Sequence, residues 1–255
     1  MSSFSIEKAE KRNIALDIMK CIGVICITNA HSWDLWEVIN RRIAVGGAQG
    51  VTIFFFVSGF AMMIGSTKKK TYDDFICDKL KRLWPPTFLW LLFSWIVWDD
   101  SPSLESFFAL EFHQWFISCI FLYYLLLYFA VNKKTVVKKR YLLGGVLFAC
   151  CIIAILPKTE HSIYVDYHYF MYLPSMALGM IMAERIEGSI IKEEKSLSTK
   201  ICFFIVSVFL FFIYFLIVNL CSGLDNQFYY FQLLNLLPLN FMVLLMYFAF
   251  EGNII

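Results

Sequence analysis

An all-α fold, a polytopic transmembrane helical bundle of about eight spans with N- and C-termini cytoplasmic, is what this sequence predicts. Three observations predict it. Of 255 residues, 60% are hydrophobic and 16% charged, against roughly 45–50% and about 25% in soluble domains. The apolar residues also come in blocks long enough to cross a hydrocarbon core of ~30 Å. Finally, with the N-terminus placed inside, 18 of the 22 Lys and Arg residues fall in segments 1–13, 67–83, 131–140, 185–200 and 250–255. Three (Arg41, Arg42 and Lys158) fall on the opposite side and Lys20 lies within the first block, which is a strong positive-inside bias.

The blocks follow in order. The first, 14–31, runs on into His31, Trp33 and Trp36 with no small-residue cleavage site, so it reads as a retained span rather than a signal peptide. The second, 46–66, holds the dense aromatic and β-branched run 50-GVTIFFFVSGF-60. Pro85 and Pro86 begin the third, 84–98, after the basic segment 67–83, whose Lys68–Lys70 run reads as a solvated or lipid-facing loop. The fourth, 107–130 (FFALEFHQWFISCIFLYYLLLYFA), is amply long, whereas 141–156 is near the lower limit. A polar loop, 157–168, carries His161, Asp166 and His168 in a spacing that is a poor metal signature. Blocks 168–184, 201–221 and 228–249 complete the set.

The eight cysteines lie mostly inside these blocks and form no CxxC pair, which marks small apolar fillers rather than a disulfide framework or a zinc site. There is no internal repeat, nucleotide fingerprint or low-complexity linker. One membrane domain over residues 1–255 is expected, in contact with lipid, with no metal and no nucleic-acid partner. The sequence carries no signal of oligomeric state.

Polar groups inside spans are costly and are therefore candidate functional residues. In 20-KCIGVICITNAH-31, eleven steps of ~100° bring Lys20 and His31 to within about 20° of one direction, roughly 16 Å apart along the axis. Asp17 shares that stripe, and Thr28 precedes His31 by a turn. Asp17 and Lys20 can snorkel to headgroups at the cytoplasmic edge, or serve a site. His31, near mid-membrane or slightly outward, is either a satisfied structural histidine or a proton acceptor near neutral pH.

Gly50 and Gly59 suit close helix packing. Ser58 is a hydrogen-bond partner or, with no base placed near it by the sequence, a less suitable nucleophile. Lys79 and Arg82 are three apart in 75-FICDKLKRLWPP-86 and so share a helix face. They read as ordinary topology charges or as a phosphate site, since Arg bonds phosphate oxygens bidentately. His113, Gln114 and Trp115 fall early in the fourth block, on the outer side, where interfacial aromatics are common.

Taken in order, these elements resemble the acyltransferase-3 family of bacterial integral-membrane (O-)acyltransferases. The family's basic residue, ten positions and histidine are matched by Lys20-x10-His31, preceded by Asp17. Its glycine, phenylalanine-rich run and Ser-Gly-Phe are matched by Gly50 and 54-FFFVSGF-60, and its RxxR-type element before proline by Lys79-x-x-Arg82-x-x-Pro85. A tryptophan followed by apolar residues is matched by 115-WFI-117, and a glycine closing an aromatic span by 169-YFMYLPSMALGM-180. Two departures stand out. Lys79 keeps the charge of the first RxxR base without its bidentate fork, and the family's usual ten or so spans exceed the eight that precede 250-FEGNII-255.

The resemblance implies an enzyme of the bacterial cytoplasmic membrane that moves an acyl group, often acetyl, from a cytoplasmic thioester donor to a sugar hydroxyl. Acetyl-coenzyme A is the expected donor, and a surface polysaccharide or lipid-linked glycan the acceptor. Lys20, Lys79 and Arg82 are then the cations for the donor's phosphates, helped by cytoplasmic positive charge. His31 is the general base or acyl carrier, with Asp17 holding Lys20 across one turn. Ser58 and Trp115 are the candidate substrate contacts. Two alternatives stay open on the residues alone: a proton-coupled transporter using Lys20 and His31 as relay groups, and a catalytically idle membrane subunit.

Overall fold

A computed structural model describes residues 13–32, 34–36, 40, 44–65, 71–98, 115–131, 172–188, 195–221 and 236–251. Among them there are seven helices and no strand: α1 (Ile14–His31), α2 (Gly47–Gly65), α3 (Tyr72–Trp98), α4 (Trp115–Val131), α5 (Leu173–Gly188), α6 (Leu197–Cys221) and α7 (Leu236–Phe250). The all-α class is as the sequence predicts. Among the described residues, three helices are long and apolar enough to cross a membrane (Ile14–His31, Gly47–Ile64 and Leu197–Ile217), and Leu237–Phe250 is a shorter apolar helix. The block at 141–156, the polar loop with His161, Asp166 and His168, the Lys68–Lys70 run, and His113 with Gln114 lie outside the described residues.

Local signals explain where the helices begin and stop. Asn13 caps α1, its side-chain oxygen accepting from Leu16 N at 3.4 Å. The helix closes at Ser32, whose N–H donates to Asn29 O at 3.1 Å and whose Oγ donates to Thr28 O at 2.7 Å. Gly46 precedes α2 with φ 106°, a left-handed conformation that favours glycine. Thr71 caps α3: Asp74 N donates to Thr71 Oγ1 at 3.2 Å, and the Thr71 hydroxyl donates to Asp74 Oδ2 at 2.7 Å.

The third apolar block is part of a longer helix: α3 starts at Tyr72, includes Lys79 and Arg82 as their spacing predicts, and runs on through Pro85 and Pro86. A proline nitrogen cannot donate, so the helix forgoes its bonds to the carbonyls of Lys81 and Arg82. Just beyond the prolines, Thr87 Oγ1 donates to Leu83 O at 2.8 Å, back onto its own helix. The Thr71 cap and the first-turn Asp73 and Asp74, which complement the helix dipole, start the helix well before the apolar run.

Packing groups the chain into two compact units, divided within α2. One comprises Met1–Val57, Ile190–Gly223 and Leu237–Ile255, and the other Ser58–Ser189 and Leu224–Leu236. In the first, Met19, Ile53, Phe55, Phe56, Leu239, Met242, Val243 and Tyr247 are fully buried. There α1 and α2 meet through glycines: a Cβ on Gly50 would stand 2.7 Å from both Gly23 O and Ile27 Cγ1. Lys195 joins the start of α6 to the end of α7, with Nζ 3.0 Å from Glu251 Oε2 and 3.6 Å from the Phe248 ring centroid.

In the second unit α3 packs on α4, and α4 on α5. A Cβ on Gly59 would collide with the Met176 carbonyl, so α2 and α5 touch backbone to backbone there, the close-packing role expected of this glycine. Of the α2 window 67% is buried, against 11% for α6. The face that α6 exposes, with Ile201, Phe204, Ile205, Phe209, Phe212 and Leu216, suits contact with acyl chains.

Candidate active site

The sequence-predicted residues divide between the two units, Asp17, Lys20 and His31 in the first and Ser58, Lys79, Arg82 and Trp115 in the second. On α1 the buried face is formed by Ala15, Leu16, Met19 and Gly23. Lys20, Cys21, Val24, Ile25, Thr28 and His31 occupy the exposed face, so one uncovered stripe carries both ionisable groups. Lys20 Nζ lies 3.4 Å from Asp17 Oδ1 with 48% of its side chain exposed, an open i,i+3 pair of small energetic weight. His31 is the last residue of α1, in the turn where a cation complements the helix dipole.

Asn29, in the same run, escaped the candidates. Its Nδ2 donates to Val45 O at 2.9 Å, and its Oδ1 accepts from Trp36 Nε1 at 3.1 Å. Both halves of the amide thus tie the end of α1 to the chain returning towards α2, and His31 follows two residues later. An amide in an otherwise apolar run was the available signal.

In the second unit the structure brings Ser58, Lys79 and Arg82 to one residue, Tyr124 of α4. The Tyr124 hydroxyl lies beside Ser58 and within electrostatic reach of the Arg82 guanidinium. Lys79 Nζ stands 4.4 Å from the Tyr124 ring centroid and 5.2 Å from that of Phe75, within the range where a cation gains about 0.5–2 kcal/mol from an aromatic face. Phase explains the convergence: Tyr72, Phe75, Lys79 and Arg82 recur at three- and four-residue steps on α3, as Tyr124 and Tyr128 do on α4.

The rings interlock, Tyr72 on Tyr128 at 5.0 Å, Phe75 on Tyr128 at 5.0 Å and Phe75 on Tyr124 at 6.3 Å. Tyr124 is 7% exposed, so its hydroxyl needs an internal partner, and Ser58 is beside it. Arg82 is exposed and Lys79 half-buried. Trp115 is the first residue of α4. Chemically, the cluster offers a guanidinium open to an anion, an ammonium seated on aromatic faces, and two neighbouring hydroxyls. Among the described residues no group of three His, Cys, Asp or Glu is placed to hold a metal.

The acyltransferase-3 family model, described as an acyltransferase domain, matches residues 13–254. No curated protein and no solved structure matches the chain.

Proposed function

The chain belongs to the acyltransferase-3 family of membrane acyltransferases, and on that premise we propose that it moves an acetyl group from acetyl-coenzyme A to a hydroxyl of a cell-surface polysaccharide or lipid-linked glycan, in the bacterial cytoplasmic membrane. The observation that carries this reading is the family match across nearly the whole chain. Its support within the fold is the single exposed stripe of α1 that holds Lys20 and His31.

Overall, the acceptor oxygen bonds to the thioester carbonyl carbon, the C–S bond breaks, and the acceptor's proton ends on the released thiol of coenzyme A. His31 takes the proton from the acceptor hydroxyl as general base. In the other version of the step, its ring nitrogen first accepts the acetyl group and passes it on. Lys20, paired with Asp17, supplies positive charge on the same helix. Arg82 and Lys79 take phosphate oxygens of the donor, Arg82 by its planar fork, and their exposed and half-buried placement suits an anion arriving from solution. Ser58 and Trp115 contact substrate.

The test is transfer of radiolabel from acetyl-coenzyme A to a glycan extract by membranes containing the chain. Label should reach the glycan with the native chain and stay on the donor with His31→Ala, while immunoblotting shows equal membrane insertion. Equal transfer by the two would remove His31 from the chemistry. No transfer by the native chain would favour the transporter or the idle subunit.

A further inference from the structure

Lys79 is a long, flexible side chain where a guanidinium would bring a planar fork. A lysine that grips a phosphate gives up side-chain rotamer freedom on binding. In this structure the freedom is already restricted, because the ammonium sits over the rings of Tyr124 and Phe75 at 4.4 and 5.2 Å. Tyr124 is in turn buried, with its ring held edge-on by Phe75. An ammonium resting on a ring face still has N–H bonds to direct at an anion. Arg82, one turn on, is exposed beside it.

We propose that Tyr124 is the positioning residue of the donor-phosphate site: its ring seats Lys79 in advance, so that Lys79 and Arg82 meet one phosphate group together. The inference rests on the donor role of Lys79 and Arg82 proposed above. It deepens that role by naming the residue that makes a lysine serviceable there. Tyr124 itself touches neither donor nor acceptor.

Two measurements on the detergent-solubilised full chain test it. The first is calorimetric binding of coenzyme A. Tyr124→Leu should weaken it about tenfold, a size within the span of cation–aromatic energies, and Tyr124→Phe, which keeps the ring, should restore it to within about twofold. Lys79→Met should weaken binding by a similar factor, and adding Tyr124→Leu to it should change little further, as expected of two residues acting through one interaction. Should Tyr124→Leu fail to fold, Tyr124→Met fills the space with a flexible apolar chain and carries the same expectation.

The second is the rate at which N-hydroxysuccinimide acetate modifies Lys79, read by mass spectrometry against exposed Lys81 on the same helix. Losing the ring should raise the Lys79-to-Lys81 ratio several-fold, on the order of the released cation–aromatic contact. A raised ratio with unchanged coenzyme A affinity would make Tyr124 merely structural and overturn the proposal, as would an unchanged ratio. Absence of coenzyme A binding by the native chain would instead overturn the donor reading, and the proposal with it, whatever the ratio shows.

Discussion

Lys20 on α1 stands on an exposed helix face, 3.4 Å from Asp17 one turn before it, whereas Lys79 on α3 lies 4.4 Å from the ring centre of a tyrosine contributed by α4. The first lysine is served by its own helix and the second by a neighbour as well as by Phe75 of its own. An i,i+3 pair forms wherever its helix forms and constrains little else. A cation on an aromatic face of another helix exists only when the two helices are in register, and so it reports the packing of α3 against α4. Lys195 is also held from another segment, bonded to Glu251 and resting on Phe248 at the end of α7. What the difference teaches is that equal formal charges along this chain are not equal in what they can hold still. The cluster around Tyr124 is therefore built between two helices, whereas the α1 stripe is carried on one.

The largest effect expected is on the α1 side. His31→Ala should lower kcat by about 10²–10⁴-fold, the usual contribution of a general acid or base, while insertion is unaltered. A loss confined to KM would move His31 from chemistry to binding.

Next is the contact that sets Ser58 beside the α3–α4 cluster. Gly59→Val pushes a side chain against the Met176 carbonyl and should cost about 1–3 kcal/mol or more, seen as a lowered thermal midpoint in detergent. Ala61→Val, two residues on at an exposed position, should stay within about 0.5 kcal/mol. Equal midpoints for the two variants would mean that α2 and α5 do not touch at Gly59.

On the α3 side, Arg82→Ala should raise the apparent KM for acetyl-coenzyme A about 10–100-fold, matching a charge-assisted hydrogen bond of about 1.5–3 kcal/mol. Arg82→Lys should recover only part of that, since the fork is lost. A donor KM that does not respond to Arg82→Ala would take the phosphate role away from α3. The smallest effect belongs to Asp17→Asn, which breaks an exposed pair worth about 0.2–1 kcal/mol and should change stability by no more than that. A larger loss, followed by urea or thermal unfolding, would show that Lys20 depends on Asp17 as Lys79 depends on Tyr124.

Much of this was readable before any fold was known, and residue by residue one can say why. The bounds of α1 followed from the apolar block 14–31, because hydrophobic run length is a local property. The pairing of Lys20 with His31 on one stripe followed from the helical repeat alone. Gly50 and Gly59 were legible as packing positions because small residues in spans have few other uses. The helical phase shared by Lys79 and Arg82 was likewise local, whereas the unbroken run of α3 from Tyr72 through the prolines at 85 and 86 came only with the fold, since prolines are strong local punctuation.

Class, membrane character and the identity of most candidate residues were thus determined by the sequence itself, since composition, periodicity and charge placement are properties of neighbours along the chain. Tyr124 and Asn29 were decided only by tertiary structure. A tyrosine in FLYYLLLYF and an asparagine in CITNAH look like span residues until the helices that face them are known. A hydrogen bond to Val45 O, a hydroxyl set beside Ser58, and a cation laid over a ring depend on which segment packs against which and in what register. That is a property of contacts between segments distant in sequence, and the spacing within either segment does not contain it.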